Sequence, residues 1–534
     1  MSNKRALWVL AGAQFLMVLD QSVMNVSISQ LVADFDTSVT TIQAVITFYS
    51  LVMAALMITG GKLGDILGRR RAFTIGLVIY GVGSALTAVS WDVASLTIGW
   101  SVLEGIGAAL VLPALVALTA STFTGRERAA AYGVLGGVAG AGIAVGPILG
   151  GWLTTNLTWR LVFAGEVVLV IVLLLFAGAL IEKRREGETP RLDWIGAVLS
   201  ATGLSAIVLG VLQSSSWGWL VPRNSPIEPL GFSLVPFLIA AGFVLLYAFA
   251  SRQRTLEEQK RGPLVRLSML ANPALRSGLQ MFCAQNLILL GIFFTIPLYL
   301  QVVQGFDAFE TGLRMLPVSV AMLIAGALGG RLSARVAPRR IVRTGLVVTL
   351  AAVAMILATI DPQIDDLNFA IAMAALGLGM GLVVSQLGNV VQSAVDEDER
   401  SEAGGLQYTS QQFGAALGTA LIGAVLISGL INSFGEDVTS NPAISDEVKQ
   451  EVGIRLEGEV SFVSASQLQT TAEEAGIASD QEVSELVDGY EEAQLRALKT
   501  ALLAAGLIVL FSLAGTRNLP REPFREEDPA AAPT

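Results

Sequence analysis

Histidine is absent from the 534 residues, and cysteine occurs once, as Cys283. Because imidazole is the side chain that normally titrates near neutral pH, proton chemistry in this chain falls to carboxyl groups. A single cysteine excludes an intramolecular disulfide. Together with the lack of histidine, it leaves no cluster of the usual zinc ligands. The sequence also has no GxxxxGK[ST] nucleotide loop, so we expect no metal, no cofactor and no enzymatic activity.

Charged residues are scarce as well, at 15% of the chain, against about 25% in soluble proteins. Hydrophobic residues make up 53%, and the mean hydropathy is +0.64. Apolar runs of near 20 residues recur along the chain, and each run is long enough to cross a bilayer as a helix. This composition predicts an all-α polytopic membrane protein.

The apolar runs predict fourteen membrane spans, with boundaries uncertain by a few residues. They cover residues 6–28, 41–60, 72–91, 94–121, 129–153, 160–182, 194–214, 231–250, 275–302, 309–330, 342–360, 368–393, 405–432 and 494–516. Most of the 34 Lys and Arg residues fall in alternate connections, which the positive-inside rule assigns to the cytoplasm. We therefore expect both termini to be cytoplasmic.

A repeat divides the chain. Residues 60–76 read GGKLGDILGRRRAFTIG, and residues 329–345 read GGRLSARVAPRRIVRTG, 269 positions later. A second match follows at an offset of 272, where Glu127-Arg128, Gly142 and Gly146 return as Glu399-Arg400, Gly414 and Gly418. Spans 2–5 thus correspond to spans 10–13. Repeated halves of this kind are common in secondary transporters.

Because the offset is eight spans, spans 7 and 8 are an insertion between two bundles of six. The predicted domains are an N-terminal bundle at 1–190, an inserted pair with its cytoplasmic linker at 191–272 and a C-terminal bundle at 273–516. The last bundle contains an outer loop, 433–493, with fifteen acidic residues against two basic ones. This loop is either solvated and partly helical or an electrostatic funnel for cationic solutes. Residues 517–534 are predicted to be a disordered cytoplasmic tail.

The motifs in this frame resemble those of the major facilitator superfamily, specifically its fourteen-span drug:proton antiporter branch. The resemblance implies a major facilitator fold of two six-helix bundles plus two inserted helices. The loop between spans 2 and 3 matches the family's cytoplasmic gating motif, in which the aspartate faces a helix N-terminus and the arginines form ion pairs between the halves. Its residues here are Gly64, Asp65, Gly68, Arg69, Arg70 and Arg71.

Span 5 matches the family's antiporter motif, which marks exporters. Three glycines spaced one helical turn apart predict a smooth face for close helix approach, and a proline predicts a bend. The matching residues are Gly133, Gly142, Gly146, Pro147, Gly150 and Gly151.

Two departures from the family pattern stand out. The usual arginine of span 4 is missing, and Glu104 occupies the position of the usual glutamine. At span 6, the usual Asn-x-Pro is replaced by Glu166-Val167-Val168. Coupling schemes that use the span-4 arginine cannot simply be transferred to this chain.

Charged residues inside spans are functional candidates by default, because burying them in a bilayer is costly. A rise of ~1.5 Å per residue places Asp20 and Glu104 near mid-membrane, and in the resembled fold spans 1 and 4 line the central cavity. We predict that both acids couple protons to substrate; the alternative is a structural hydrogen bond to a neighbouring helix. Glu166 is a third candidate, or a partner of Arg160 at the outer face. Arg314 either snorkels or closes an outer gate.

The sequence therefore predicts a proton-coupled efflux transporter that exports lipophilic, cationic drugs by alternating access. Its partners would be small-molecule substrates, protons and the bilayer, with no nucleic acid, and we expect a monomer in the plasma membrane. One alternative is an exporter of an endogenous lipid or secondary metabolite. A membrane enzyme or receptor is a further alternative with less support.

Overall fold

The computed structural model describes residues 2–123, 125–180, 191–396, 399–457, 462–475 and 479–523, and these residues contain helices but no strands. Fourteen long helices coincide with the predicted spans, and we number them in chain order. They are α1 Ser2–Val26, α2 Val39–Leu67, α3 Arg69–Ala88, α4 Val93–Thr122, α5 Gly125–Asn156, α6 Arg160–Phe176, α7 Trp194–Leu212, α8 Val235–Glu258, α9 Pro273–Val303, α10 Ala308–Leu332, α11 Pro338–Thr359, α12 Asp366–Ser393, α13 Arg400–Ser440 and α14 Asp480–Gly515.

Within the described ranges, thirteen of these helices are long and apolar enough to cross a membrane. The exception is α6, whose 17 residues sit at the lower limit for a span and continue into a 3-10 turn, Ala177–Ala179. The prediction of fourteen spans therefore fits the helices, although the sixth ends earlier than expected. Below, the inner end means the end predicted to face the cytoplasm, and the outer end is the opposite one.

The two six-helix bundles use the same internal packing. In the N-terminal half, α1 packs against α5 and α6, α4 packs against α2 and α3, and α3 also contacts α6. In the C-terminal half, α9 packs against α13 and α14, α12 packs against α10 and α11, and α11 contacts α14. Each of these five pairings in the first half has its equivalent in the second, which confirms the two-bundle fold.

The repeated glycines explain this correspondence at the level of single contacts. A Cβ added to Gly76 of α3 would lie 2.9 Å from the carbonyl oxygen of Gly107 in α4. At the repeat position Gly345 of α11, a Cβ would lie 2.7 Å from the carbonyl oxygen of Gly379 in α12. Both distances are too short for any side chain, so the same two helices approach closely in each half only because these residues are glycines.

The halves meet along two seams, one formed by α5 with α10 and the other by α2 with α13. The inserted helix α7 covers the second seam, since it contacts both α2 and α13, while α8 packs mainly on α7. At the inner end, the Asp193 carboxylate accepts hydrogen bonds from Arg252, at 2.7 Å, and from Gln253, at 2.9 Å. Partial burial opposes ionisation of Asp193, but these hydrogen bonds and the nearby guanidinium keep its pKa below the ordinary value.

Much of the predicted outer loop is helical. The helices α13 and α14 extend beyond their predicted spans, and two short helices, Asp446–Glu457 and Ala465–Ala475, lie between them. Phe434 meets Tyr490 edge to face at 5.2 Å, and the Arg496 guanidinium lies 3.0 Å from Asp437. The outer segment therefore packs on itself.

The predicted disorder of the C-terminal tail is wrong for residues 517–523. Leu519 is buried, and the carbonyl oxygen of Pro520 accepts a hydrogen bond from the Arg339 backbone at the start of α11. An apolar side chain and a buried α11 terminus hold this stretch in place. Residues 524–534 lie outside the described residues.

Candidate functional site

The three candidate acids converge inside the N-terminal half. Asp20 lies on α1, Glu104 on α4 and Glu166 on α6, and one carboxylate oxygen of each lies within 4.8 Å of the other two. The exposed fractions are 0%, 0% and 2%, so water does not reach these side chains in this conformation. We call these three residues the acid cluster.

Each carboxylate accepts hydrogen bonds from side chains of a single neighbouring helix. The Trp100 indole donates to Asp20 Oδ1 at 2.8 Å, and the Thr87 hydroxyl donates to Glu104 Oε1 at 3.3 Å. On α3, the Ser84 hydroxyl donates to Glu166 Oε2 at 3.2 Å. The Tyr80 hydroxyl reaches the same oxygen at 3.5 Å. The second oxygen of each acid is buried without a hydrogen-bond partner.

Local irregularity in α4 shapes this arrangement. Residues Thr97–Glu104 form a π-helix, a widened turn that often occurs at functional sites. This segment carries both Trp100 and Glu104. A Cβ on Gly83 of α3 would lie 2.7 Å from the Glu104 side chain, so the absence of a side chain at Gly83 makes room for the acid.

Aromatic side chains form a second layer. The ring of Tyr49 on α2 stacks on Trp100, with centroids 4.7 Å apart and planes at 10°. Both residues are buried, and the stack fixes the indole that donates to Asp20. Among the described residues, no Lys or Arg forms an ion pair with the cluster.

The expected exposure of the acids to a central cavity is not what this conformation shows. All three point into the bundle formed by α1, α3, α4 and α6, since the acids lie on α1, α4 and α6 and their hydrogen-bond donors lie on α3 and α4. An apolar cavity of about 260 Å³ lies elsewhere, at the outer end between α2, α4 and α7, with Thr41, Val93 and Leu209 in its wall. A substrate in the cleft between the halves would therefore act on the acids through helix movement.

The alternative pairing of Glu166 with Arg160 is wrong. Arg160 instead donates to Asp34 at 2.9 Å, and the Trp159 indole donates to the same Asp34 oxygen at 2.8 Å. Partial burial opposes ionisation of Asp34, but hydrogen bonds from Gln30, Trp159 and Arg160 hold its pKa below the ordinary value. These contacts close the outer end of the N-terminal bundle above the acid cluster.

The gating-motif residues lie at the inner turn between α2 and α3. Gly68 joins the two helices with φ of +96°, a conformation that strongly favours glycine. Asp65 lies in the last turn of α2, while Arg69, Arg70 and Arg71 begin α3. The Arg69 guanidinium lies 3.4 Å from Asp65 and also donates to the Ala117 carbonyl oxygen of α4. These contacts stay inside the N-terminal half, and ion pairing between the halves remains a prediction.

The antiporter-motif glycines lie on α5 and face α1. A Cβ on Gly142, Gly146 or Gly150 would come within 3.1, 2.4 or 2.6 Å of Val18, Ser22 or Val23. On another face, Gly151 and Pro147 contact α10, since a Cβ on Gly151 would meet the Ala308 carbonyl oxygen at 2.3 Å. Gly133 lies further in along the same helix. The motif thus presses α5 against the helix that carries Asp20 and against the other half.

Arg314 connects two helices of the C-terminal half. Its guanidinium lies 3.0 Å from Asp366 at the start of α12 and stacks over the Phe306 ring at 3.5 Å. Other residues make the contacts that close the outer end between the halves. Gln301 donates to the Val26 carbonyl oxygen at 2.9 Å, and the Phe309 backbone donates to Thr155 Oγ1 at 3.2 Å.

Two pseudo-equivalent helical bundles, joined at two seams and holding buried acids in the membrane interior, define a secondary transporter of alternating-access architecture. Comparison with known protein families supports this class of protein. Residues 10–419 match the Major Facilitator Superfamily, and the chain belongs to this family. It is a multi-pass membrane transporter and not an enzyme.

Its relatives include exporters and resistance proteins. The chain is 31% identical to the puromycin resistance protein pur8 of Streptomyces alboniger over 439 residues, 82% of this chain and 84% of that protein. It is 26% identical to the multidrug resistance protein Stp of Mycobacterium tuberculosis over 516 residues, 95% and 90% of the two chains. In fold, it is similar to a bacterial homologue of the lysosomal transporter Spinster, with a TM-score of 0.61, 16% identity and coverage of 98% and 99%.

Proposed function

We propose that this protein is a proton-coupled exporter of lipophilic, cationic compounds and that the acid cluster is its coupling site. The observation that carries the proposal is the position of α1, which holds Asp20 on one face and touches the other half on another. Gln21, the next residue, donates to Gln412 of α13 at 3.3 Å, across the cleft between the halves. Protonation at Asp20 therefore acts on a helix that takes part in the contact between the bundles.

A second connection runs through α5. The Ser22 hydroxyl of α1 donates to the Ile143 carbonyl oxygen of α5 at 3.4 Å, and the Ser319 hydroxyl of α10 donates to the same oxygen at 3.1 Å. A shift of α1 that follows a change of charge at Asp20 would thus reach α10 through one shared acceptor. Coupling of this kind needs two arrangements of the seam, and the acids would favour one or the other according to their charge.

The α5–α10 seam is a suitable switching element. It is packed from Gly151 and Ala308 at the outer end down to Gly140 and Leu323. On the same helix faces further in, no atom of the described chain lies within 4 Å of the Cβ positions of Gly136, Gly137, Gly326 and Gly330. The seam therefore opens toward the inner end, while α4 still meets α13 near Val116 and Gly404.

Charge favours a cationic substrate. The chain carries a net charge of −10, and the outer segment 433–493 is acidic. The intramembrane Arg314 is paired with Asp366. The names of the relatives support export of toxic compounds, since pur8 is a puromycin resistance protein and Stp a multidrug resistance protein. We place the protein in the plasma membrane as a monomer, and the positive-inside pattern orients both termini toward the cytoplasm.

Drug-evoked proton release tests the coupling. Purified protein in weak buffer is mixed with a lipophilic cation, and the proton yield per protein is followed with a pH dye. We expect proton release from the wild type and a large reduction in Asp20→Asn, Glu104→Gln and Glu166→Gln, because an amide does not ionise in this pH range. Glu473→Gln, an exposed acid of the outer segment, is the matched control and should behave like the wild type.

Undiminished release from all three cluster variants would remove the acids from the coupling scheme.

Efflux of cationic, neutral and anionic compounds from a pump-deficient host then tests the substrate class. Export of only neutral or anionic compounds would favour the endogenous lipid or metabolite alternative.

A further inference from the structure

We propose that the acid cluster is also a binding site for a hard metal cation of the size of Na⁺ or Ca²⁺, which competes there with protons. The proposal concerns the same three acids as the proposed function and rests on that function only for its role in transport. A search for histidine and cysteine ligands would not find this site, because its ligands are carboxylates from three separate helices.

The spacing of the ligands already suits one ion. One oxygen from each of Asp20, Glu104 and Glu166 lies within 4.8 Å of the others. Two oxygens that bind the same cation at about 2.4 Å can be no more than about 4.8 Å apart, which is the geometry of a Ca²⁺-sized ion. The three acids therefore meet the spacing that a single cation of this size requires.

Unused oxygen atoms point to a missing ligand. In each acid, one oxygen accepts a protein hydrogen bond, whereas Asp20 Oδ2, Glu104 Oε2 and Glu166 Oε1 are buried with no partner. Buried polar atoms without partners are rare and costly, by about 1–3 kcal/mol each. Three such atoms in the side chains of one solvent-free cluster are readily explained if an ion or protons occupy it.

A fourth oxygen supports this inference independently. The Tyr49 hydroxyl on α2 is buried, has no hydrogen-bond partner and lies beside the Asp20 carboxylate, though without the geometry of a hydrogen bond. The Tyr49 ring is fixed by its stack on Trp100, so its hydroxyl cannot turn away easily. This uncharged oxygen is a suitable additional ligand for a hard cation.

The charge of the site requires compensation. Three carboxylates surrounded by apolar helices cannot all be ionised unless positive charge binds among them. The titratable groups that face one another here are Asp20 on α1, Tyr49 on α2, Tyr80 on α3, Glu104 on α4 and Glu166 on α6. None of them is basic, so the positive charge must come from protons or from a bound cation.

The ligand set selects among cations. The three acids and Tyr49 offer only oxygen atoms as ligands, and such ligands bind hard ions in preference to zinc and copper. Mg²⁺ keeps several waters and requires oxygens at about 2.0–2.1 Å in octahedral geometry, and a water-free cluster does not provide such a shell. Na⁺ and Ca²⁺, which tolerate longer distances and irregular geometry, remain.

Radioactive Na⁺ and Ca²⁺ are the probes, used separately on purified protein in detergent without any drug. We expect saturable binding of one of the two ions by the wild type and by Glu473→Gln. Asp20→Asn, Glu104→Gln and Glu166→Gln should each weaken ion binding by at least about tenfold, since even mutation of the residues that support a metal's ligands usually lowers the affinity this much. Binding should also weaken as the proton concentration rises.

Thermal melting of the unmodified protein guards against misfolded variants. The ion that binds should raise the melting temperature above that in N-methylglucamine chloride of equal ionic strength, because a ligand of the folded state stabilises it. Absence of both saturable binding and a thermal shift would overturn the proposal, as would equal binding by the wild type and all three variants. Drug-evoked proton release is measured without either ion, so its failure would leave a positive binding result standing.

Discussion

At the scale of single residues, the two departures from the family pattern are the most informative feature. Glu104 stands where the family usually has glutamine, and Glu166 stands where it usually has asparagine. Although 62 positions separate them, both side chains meet Asp20 in one buried cluster. An acid in either place alone would be a costly buried charge. Together with Asp20 they form the acid cluster that we propose as the coupling site.

Replacement of Trp100 by phenylalanine tests how this cluster is held. The change removes the indole donor to Asp20 but keeps an aromatic ring against Tyr49. We expect a loss of stability in the range of about 0.6–1.7 kcal/mol, typical of hydrogen bonds between helices in membranes, seen as a lower melting temperature. Drug-evoked proton release should change as well.

Trp8→Phe is the matched control, because Trp8 is 78% exposed at the inner end of α1. Its melting temperature should stay near that of the wild type. If Trp100→Phe also melts and releases protons like the wild type, the indole does not organise the Asp20 carboxylate.

At the scale of helices, α5 is the element that joins the acids to the other half. One face packs on α1 through glycines, and another contacts α10. Glycine is needed because backbone and side-chain atoms of the neighbouring helices occupy the space where a Cβ would be. The family motif is thus explained by contact geometry, with Pro147 supplying a carbonyl oxygen that meets Gly312 of α10.

Gly146→Ala should impair transport. Its new Cβ would lie 2.4 Å from the Ser22 Cβ and 2.6 Å from the Ser22 hydroxyl, and such overpacking typically costs about 1–3 kcal/mol. Because Ser22 is two residues from Asp20, we expect this strain to disfavour one conformation of the transport cycle. A cost of about 1.4 kcal/mol would lower the population of that conformation, and with it drug efflux, about tenfold. Efflux from a pump-deficient host measures it.

The control is Gly178→Ala in the exposed turn that follows α6, outside both seams, where no described atom lies within 4 Å of the Cβ position. Alanine there should leave efflux unchanged. Equal efflux in both variants would show that tight α1–α5 packing is not required for transport.

At the scale of the whole molecule, the outer end is closed by contacts between the halves. Thr155 at the end of α5 accepts a hydrogen bond from the Phe309 backbone at the start of α10, and Gln301 of α9 reaches the end of α1. Alternating access requires these contacts to break when the substrate is released outside.

A cross-link at this place should stop transport. In a Cys283→Ala background, which removes the only native cysteine, Thr155→Cys and Phe309→Cys are joined by a short reagent that reacts with two thiols. We expect efflux to fall to the level of cells without the transporter, because the outer end cannot open. Efflux assays before and after the reagent measure the effect.

The same reagent on Arg314→Cys with Asp366→Cys provides the control, since these side chains pair within the C-terminal half. That cross-link should leave transport largely intact. Continued efflux with Thr155 and Phe309 fully cross-linked would contradict the proposed opening of the outer end.

The architecture follows from the sequence alone, because apolar runs are long enough to span a bilayer and repeated glycines and basic residues at offsets of 269 and 272 mark two related halves. These properties are local or periodic, so they can be read along the chain. The sequence also showed which buried charges were unusual, because a charged residue in an apolar span is costly wherever it points.

The positions of those charges in space depend on how the helices pack. The orientation of Asp20 around α1, the widened turn at Thr97–Glu104 and the packing of α6 bring three acids together inside one bundle. The partner of Arg160, which is Asp34 and not Glu166, was likewise a matter of packing. Such contacts depend on the rotation and approach of helices far apart in the chain, and no spacing in the sequence records them.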